Sequence, residues 1–473
     1  MNKELLQEIS LPQTIEVNLT QNPERVLQFG EGNFLRAFAD FFIDELNEKS
    51  MFNGSIVIAQ PIAHGLADKL SQQDCLYTAI LRGIENGKPV DRRRIVSSIS
   101  RALNPYANFE DYFACAKNPD LRFVISNTTE AGITYVPADK LDDKPQSSFP
   151  GKVTSFLYER YKAFSGAADK GLIFIPCELI DDNGDALKQT VIQHADNWGL
   201  PGEFKQWVNT SCEFTNTLVD RIVTGYPKDE IETLTAELGY KDELIVTGEI
   251  FHFFAIQARK EWMPVLEAEL PLPKFGLNVV YTEDVTPYKQ RKVRILNGAH
   301  TMSVLAAYLA GKETVGEMME DPRIIKYLQD GIYNEIIPTL DLDKADLESF
   351  AASVFDRFKN PHIKHFLLSI ALNSVSKFKA RVLPSILEYH KRVGGLPKNL
   401  TFSLAALIAF YKGDKANDDA CVLEFFKEVW QGDNVVEKVC SNVEFWGADL
   451  TAIPGLVEKV EADLQNILQG EIF

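Results

Sequence analysis

Cysteine is sparse and unpatterned in this 473-residue chain. The six cysteines, at 75, 115, 177, 212, 421 and 440, form neither a C-x-x-C pair nor a zinc-ligand spacing. That excludes a disulfide framework and a zinc ribbon, and predicts buried free thiols in a reducing compartment. Long apolar runs are missing as well. The most apolar stretch, residues 402–410, is far too short to cross a bilayer. Residues 1–13 lack the apolar segment of a secretory signal. A cytoplasmic protein is expected. Positive charge is in deficit, with 49 Lys and Arg against 67 Asp and Glu and a formal net charge of −18. Such a field disfavours nucleic acid and anionic membrane as partners. An anionic small molecule needs a local cationic pocket working against it. There is no internal repeat and no low-complexity tract, and nothing in the residues specifies an oligomeric state.

What is present is a soluble globular composition, 45% hydrophobic and 25% charged, in a chain long enough for two domains. In the first half, short apolar runs of the buried-strand type at 25–30, 55–60, 122–126 and 172–176 alternate with helical patterns. The first of these helices, 33–49, carries Phe34, Phe38, Phe41, Phe42 and Leu46 at helical spacing. Alternation of this kind predicts an α/β fold, a parallel sheet with helices on both faces. Pro264, Pro271 and Pro273 punctuate a boundary. Beyond Pro287 helical periodicity takes over, at 324–337, 363–378, 404–411 and 422–430, with a last amphipathic helix within 455–473. The second half is expected to be a mainly α-helical domain.

Gly30-Glu-Gly32-Asn33-Phe34-Leu-Arg36 joins the first strand to the first helix. In a dinucleotide site the first glycine permits the tight turn and the second lets backbone N–H groups approach the pyrophosphate, where the helix N-terminus adds positive charge. Leu35 replaces the usual third glycine, and Arg36 offers compensating charge. This turn predicts a Rossmann-like dinucleotide-binding domain at 21–275, followed by a helical substrate and catalytic domain at 283–473. The second strand ends in Gln60 rather than the acid that recognises a free ribose 2′-hydroxyl, yet no arginine follows closely to favour a 2′-phosphate. NAD is the expected cofactor.

Lys292, Asn297 and His300 stand in the spacing K-x4-N-x2-H. On an α-helix these positions fall at about 0°, 140° and 80°, within one broad sector. An amine, an amide and an imidazole on one face can move a proton to or from an alcohol while holding its oxygen. The ordinary alternative is an exposed lysine, a helix-capping asparagine and a packed histidine. Two Tyr-x-x-x-Lys pairs, Tyr158/Lys162 and Tyr288/Lys292, suit short-chain dehydrogenases, but the chain is too long and its glycine turn is of the wrong type. Tyr158/Lys162 reads as helix-surface pairing. His362 and His365, three apart on a predicted helix with Asp356 nearby, lack a third ligand at diagnostic spacing, so no metal is expected.

Taken together, Gly30-x-Gly32 with Arg36, Asn127-Thr128-Thr-Glu130-x-Gly132, Val219-Asp220-Arg-Ile222 and K-x4-N-x2-H occur in the order found in the polyol-specific long-chain dehydrogenases. The chain resembles this mannitol dehydrogenase family from about Val26 to its C-terminal helices. The resemblance implies hydride transfer with NAD(H), with Lys292 as general acid/base, Asn297 on the carbonyl oxygen and His300 on a neighbouring hydroxyl. It implies that Asp220 and Lys377 contact substrate and that residues 126–130, with Asn127, Thr128 and Glu130, lie beside the nicotinamide. It puts Gly30, Gly32, Asn33, Phe34 and Arg36 beside the pyrophosphate.

Departures from the polyol pattern redirect the substrate. Cys177-Glu-Leu179 stands where polyol members have Cys-Asp-Asn, so an oxyanion-holding asparagine is missing, with Asn183 or Asn127 as replacements. Ser369 stands at a substrate-binding arginine, and Lys289 where an acid is common. The wording at 29–36, 126–132 and 176–184 is that of members acting on keto-uronates, which implies a small-molecule keto-uronate/aldonate pair. Lys289, Arg291, Arg294, Lys377 and Arg381 are the candidate cations for its carboxylate. Lysine titrates near ~10.4 and needs lowering by roughly two to three units to exchange protons near neutrality, which burial and these cations favour. Fructuronate or a polyol is the alternative substrate. A dinucleotide-binding sensor without catalysis is the alternative of another class, distinguished by tight NADH binding that no keto-acid discharges.

Overall fold

The computed structural model describes residues 1–473. They form two compact units, Met1–Arg82 with Pro89–Val285, and Gly83–Lys88 with Thr286–Phe473. The first is built on a six-stranded sheet of β1 (Glu24–Phe29), β2 (Ser55–Ala59), β3 (Ile99–Leu103), β4 (Phe123–Ser126), β5 (Ile173–Pro176) and β6 (Glu213–Phe214). Its strand order is β3-β2-β1-β4-β5-β6 and every pairing is parallel. The order reverses between β1 and β4, the switch point at which doubly wound sheets bind dinucleotides. Alternate residues of β1 serve opposite cores, Val26 on one face and Leu27 with Phe29 on the other. This burial on both faces accounts for the continuous apolar runs of the sequence.

Two smaller sheets complete the unit. One contains the long strands Tyr77–Glu85 and Lys88–Val96, joined through Asn86 and Gly87 at φ 52° and 73°. Positive φ at both central residues is the hairpin geometry that Asn-Gly favours. The tip belongs to the second unit, where Gly87 N donates to Asp356 Oδ2 at 3.2 Å.

The helix expected over 33–49 is divided into α1 (Asn33–Arg36) and α2 (Ala39–Glu48), broken where Phe38 takes φ −130° and ψ −90°. Side chains collect the carbonyls released at the break. Tyr77 Oη donates to Arg36 O at 2.7 Å and Arg221 Nη1 to Ala37 O at 2.6 Å. The aromatic spacing is that of a helix; the kink comes from these distant partners.

In the second unit the principal helices are α3 (Thr286–Arg291), α4 (Gly298–Leu309), α5 (Lys344–Phe358), α6 (Ser374–Arg381), α7 (Lys398–Phe410) and α8 (Leu456–Leu468). The apolar stretch 402–410 lies in α7, buried against α4 and α8. Glu335 caps α7 by accepting from Asn399 N and Leu400 N at 2.9 Å. The expected helix over 363–378 is interrupted. Only Leu367–Ile370 and Ser374–Arg381 are helical, Phe366 bridges to Thr314, and Asn373 is left-handed at φ 53°. His362 and His365 therefore precede a helix rather than lie on one. All six cysteines are free; five are buried, whereas Cys421 is exposed. No helix is long and apolar enough to cross a membrane.

Asp40, at the start of α2, is fully buried, and burial pushes its carboxyl up to about 7. Asp40 Oδ1 and Gln28 Oε1 are buried and make no hydrogen bond, and burial outweighs the opposing influence of Gln28 and Arg36, so the folded state retains a proton on the Asp40 carboxyl up to about 7. Because the folded state holds this proton where the unfolded chain has released it, stability falls as pH rises from about 4 to about 7. Asp40→Asn should raise the Tm relative to the parent by a few degrees at pH 8 and little at pH 4.5, read by calorimetry. A difference that is constant with pH contradicts the assignment.

Candidate active site

The glycine turn at the C-terminal end of β1 is shaped by two different requirements. Gly30 has φ +118°, and a Cβ there would lie 2.9 Å from Asn127 O, so only glycine lets β1 and β4 end this close together. Gly32 has an ordinary φ of −69°, and no atom lies within 4 Å of where its Cβ would be. Its missing side chain leaves open space at the start of α1, the feature a pyrophosphate requires. The turn therefore fits a dinucleotide. Arg36 differs from expectation. Its guanidinium is buried, donating to Glu31 O at 3.2 Å, to Leu244 O, and to Asn33 Oδ1 at 2.7 Å. It braces the turn and positions Asn33, and reaches an anion only through its field. Phe34 stacks on Phe38 at 4.9 Å and belongs largely to the core.

At the end of β4, residues 126–132 form a tightly built loop. Glu178 accepts from Thr128 N at 3.0 Å, Thr128 Oγ1 at 2.9 Å and Ser126 Oγ at 3.0 Å. Burial raises its pKa and these donors oppose the rise. Thr129 sits at φ +76°, a strained conformation for a β-branched residue of the kind found at ligand-binding loops. Asn127 Nδ2 donates to Cys177 O at 3.2 Å, and Glu130 is exposed. Asn183 does not replace the missing asparagine. It is buried, with Nδ2 donating to Pro176 O, Glu178 O and Thr217 Oγ1, while Oδ1 accepts from Gly184 N and Thr217 N. Leu179 is exposed. The anchoring role of Glu178 was not read from the sequence, where it figured only as a departure. Asp220 closes a buried strand, in register with Phe253.

In the second unit the backbone over Lys292–Asn297 is π-helical, with Gly298 N bonding Val293 O five residues back. The α-helical projection is thereby corrected. In a π turn, whose hydrogen bonds run i→i+5, residues five apart lie closer to one face than in an α-helix, so Asn297 stands nearer the Lys292 side than the α-helical offset of about 140°. His300 follows three residues later on α4, on the same face. Single π turns inside α-helices concentrate at functional sites. The next turn is held close to α6, since a Cβ on Gly298 would lie 3.2 Å from Arg381 O.

The His300 ring packs 4.2 Å from Phe358 and 6.2 Å from His365. Its Nδ1 is buried without a partner, which leaves Nε2 as the nitrogen able to meet a hydroxyl. Burial first, then His365, Arg357 and Arg381, push its pKa down to about 3, so the imidazole is neutral. Arg357 and His365 thus belong to this cationic neighbourhood; no local pattern marked Arg357, and His365 stood out in the sequence only as a metal-ligand candidate beside His362. Arg381 Nη1 lies 3.4 Å from Thr301 Oγ1. Lys377, one turn earlier on α6, donates to Ile370 O at 2.9 Å, and burial with Arg381 lowers its pKa. Other candidate cations are engaged elsewhere. Arg291 pairs with Asp346 at 2.5 Å and Arg294 donates to Ser385 Oγ at 2.9 Å. Lys289 is half-buried on α3. Lys162 lies over the Tyr158 ring and pairs with Glu159, which is helix-surface pairing.

A parallel 3-2-1-4-5-6 sheet with a dinucleotide-shaped turn, followed by a helical unit carrying a lysine, an amide and a neutral imidazole on one face, defines a two-domain nicotinamide-type dehydrogenase. The chain belongs to the mannitol dehydrogenase family: residues 24–268 match the mannitol dehydrogenase Rossmann domain and residues 284–468 the mannitol dehydrogenase C-terminal domain. Among curated relatives, the altronate oxidoreductase of Enterobacter sp. (strain 638) is 50% identical over 461 residues, covering 94% of this chain and 95% of that protein. That of Shigella flexneri is 49% identical over 464 residues, covering 95% of each. Among solved structures, a D-sorbitol dehydrogenase in substrate-free form covers 100% of this chain and 99% of its own at 22% identity and TM-score 0.81. Pseudomonas fluorescens mannitol 2-dehydrogenase, in a ternary complex with NAD and D-mannitol, covers 100% and 97% at 21% identity and TM-score 0.65. These two share the fold.

The two glycines should separate in experiment. Gly32→Ala is expected to leave the Tm unchanged while weakening NADH binding at least tenfold, read by NADH fluorescence titration. Gly30→Ala should lose both stability and binding. Unaltered NADH affinity in Gly32→Ala contradicts the open cradle.

Proposed function

We propose that this protein is an NAD-dependent oxidoreductase interconverting D-tagaturonate and D-altronate in hexuronate breakdown. The observation that carries the reading is the near-50% identity to altronate oxidoreductases along almost the whole chain. The helical unit supplies independent support. Lys377 and Arg381 stand one turn apart on α6, half-buried, and neither has a carboxylate ion-pair partner although acids outnumber bases in the chain. Two like charges held this way repel each other unless an anion joins them, and a uronate carboxylate is such an anion.

NAD(H), when bound, supplies or accepts the hydride. Lys292 gives its proton to the alkoxide that forms at the ketone carbon, and takes it back from the alcohol in the reverse direction. Asn297, brought toward the Lys292 side by the π turn, donates to the same oxygen, where charge grows in the transition state. Neutral His300 holds a neighbouring hydroxyl through Nε2. Arg381 and Lys377 hold the distal carboxylate. In the first unit, Gly30, Gly32 and Asn33 receive the pyrophosphate, while Asn127, Thr128 and the loop up to Glu130 border the nicotinamide. Asp220 and Lys289 complete the substrate contacts.

The test is a panel of tagaturonate, fructuronate and fructose as oxidants of NADH, with NADPH run in parallel. Tagaturonate with NADH should be fastest, and preference for fructose overturns the uronate reading. Removing the charged hydrogen bond in Arg381→Ala should raise the KM for tagaturonate about 10- to 100-fold, with fructose little affected. Equal losses on both substrates contradict the carboxylate assignment.

A further inference from the structure

The end of β2 is where an acid ordinarily meets the adenosine ribose, and in this chain Gln60 stands there. Gln60 is not available to a ligand. It is buried, its Nε2 donates to Ile62 O at 2.8 Å, and its Oε1 accepts from Ala67 N at 3.2 Å. It ties down the loop that follows the strand. A carboxylate reaches the same place from elsewhere. Glu31, the residue between the two glycines of the turn, extends to this loop and accepts from Leu66 N through Oε1 at 3.1 Å. A Cβ on Gly65 would collide with Glu31 Oε1 and lie 2.6 Å from Gln60 Oε1, so the two side chains meet over that glycine. Ile62, 61% exposed on this loop, and Tyr106, which follows β3 and donates its hydroxyl to Pro61 O at 3.2 Å, present apolar surface that a purine would cover.

We propose that Glu31 takes over the role of the missing strand-end acid, accepting from the adenosine ribose hydroxyls and excluding a 2′-phosphate, so that the choice of NAD over NADP resides in the glycine turn itself. A carboxylate accepts from a diol without rearrangement, whereas a phosphate monoester brings a second acceptor-rich anion against it. No arginine offsets that repulsion. Arg36, the cation nearest in the turn, is committed to Glu31 O, Leu244 O and Asn33. Glu31 is itself largely buried, and burial raises its pKa against the Leu66 N–H, its own backbone N–H and Arg36; unlike Gln60, only its Oε1 is engaged by the loop. This assignment rests on the dinucleotide reading and is independent of the sugar acid.

The experiment is a titration of the full-length protein with NADH and NADPH, without substrate, followed by fluorescence energy transfer and checked by calorimetry. Glu31→Gln keeps an oxygen for Leu66 N and removes the charge. It should weaken NADH, tighten NADPH, and reduce the preference for NADH about tenfold or more, with an unchanged Tm. Adding Gln60→Glu to Glu31→Gln should restore part of the preference by returning an acid to the strand end. A ratio of NADH to NADPH affinity within twofold of the parent's in Glu31→Gln overturns the proposal. Failure of the parent to bind either dinucleotide overturns the dinucleotide reading and the proposal with it.

Discussion

The i→i+5 turn at Lys292–Asn297 is the constraint on which the proposed chemistry of this protein depends. In an uninterrupted α-helix a lysine and an asparagine five residues apart diverge by about 140° and cannot share a small substituent. The π turn reduces that divergence with a single irregularity, and α geometry resumes at Gly298, so His300 keeps its place on the same face. The turn is embedded in packing. It lies against α5 and α6, and α6 approaches so closely that a Cβ on Gly298 would crowd Arg381 O at 3.2 Å. A rigid, packed irregularity of this kind holds donors at the site of developing charge without reorganisation during reaction.

Charge is arranged around that turn against the grain of the molecule. The chain carries a formal charge of −18, yet Arg357, Lys377 and Arg381 gather with His300 and His365 in one neighbourhood of the helical unit. Burial and the neighbouring His365, Arg357 and Arg381 keep His300 neutral, and burial with Arg357 lowers the pKa of His365. Arg291 and Arg294 sit on the same rod but are engaged with Asp346 and Ser385. Sequence adjacency to Lys292 is therefore a poor guide to which cation is available to a ligand in the proposed reaction, for which Lys377 and Arg381 on α6 are the candidates.

Much of this was legible in the residues. The alternation of apolar runs and amphipathic helices gave the parallel sheet, because strands buried on both faces must be apolar throughout. K-x4-N-x2-H picked out three residues that the structure places on the π turn and the helix after it, a geometry that an α-helical projection does not describe. Three things escaped. The kink at Phe38 depends on Tyr77 and Arg221, far away in sequence. The long hairpin at 77–96 is marked in the sequence only by Asn86-Gly87 between strand-like runs, a two-residue signal easily outweighed by the surrounding pattern. The break in 363–378 followed from the bridge of Phe366 to Thr314, a tertiary contact that outweighed helical periodicity. Arg36 shows the same limit: its place beside two glycines suggested a phosphate ligand, whereas its donors bind backbone carbonyls and Asn33.

The central claim is that Lys292 moves the proton. The direct measurement is kcat for tagaturonate reduction by Lys292→Ala beside its Kd for NADH. Loss of a positioned general acid predicts a fall in kcat of about 10²- to 10⁴-fold with NADH affinity unchanged. Near-normal turnover with intact NADH binding contradicts it.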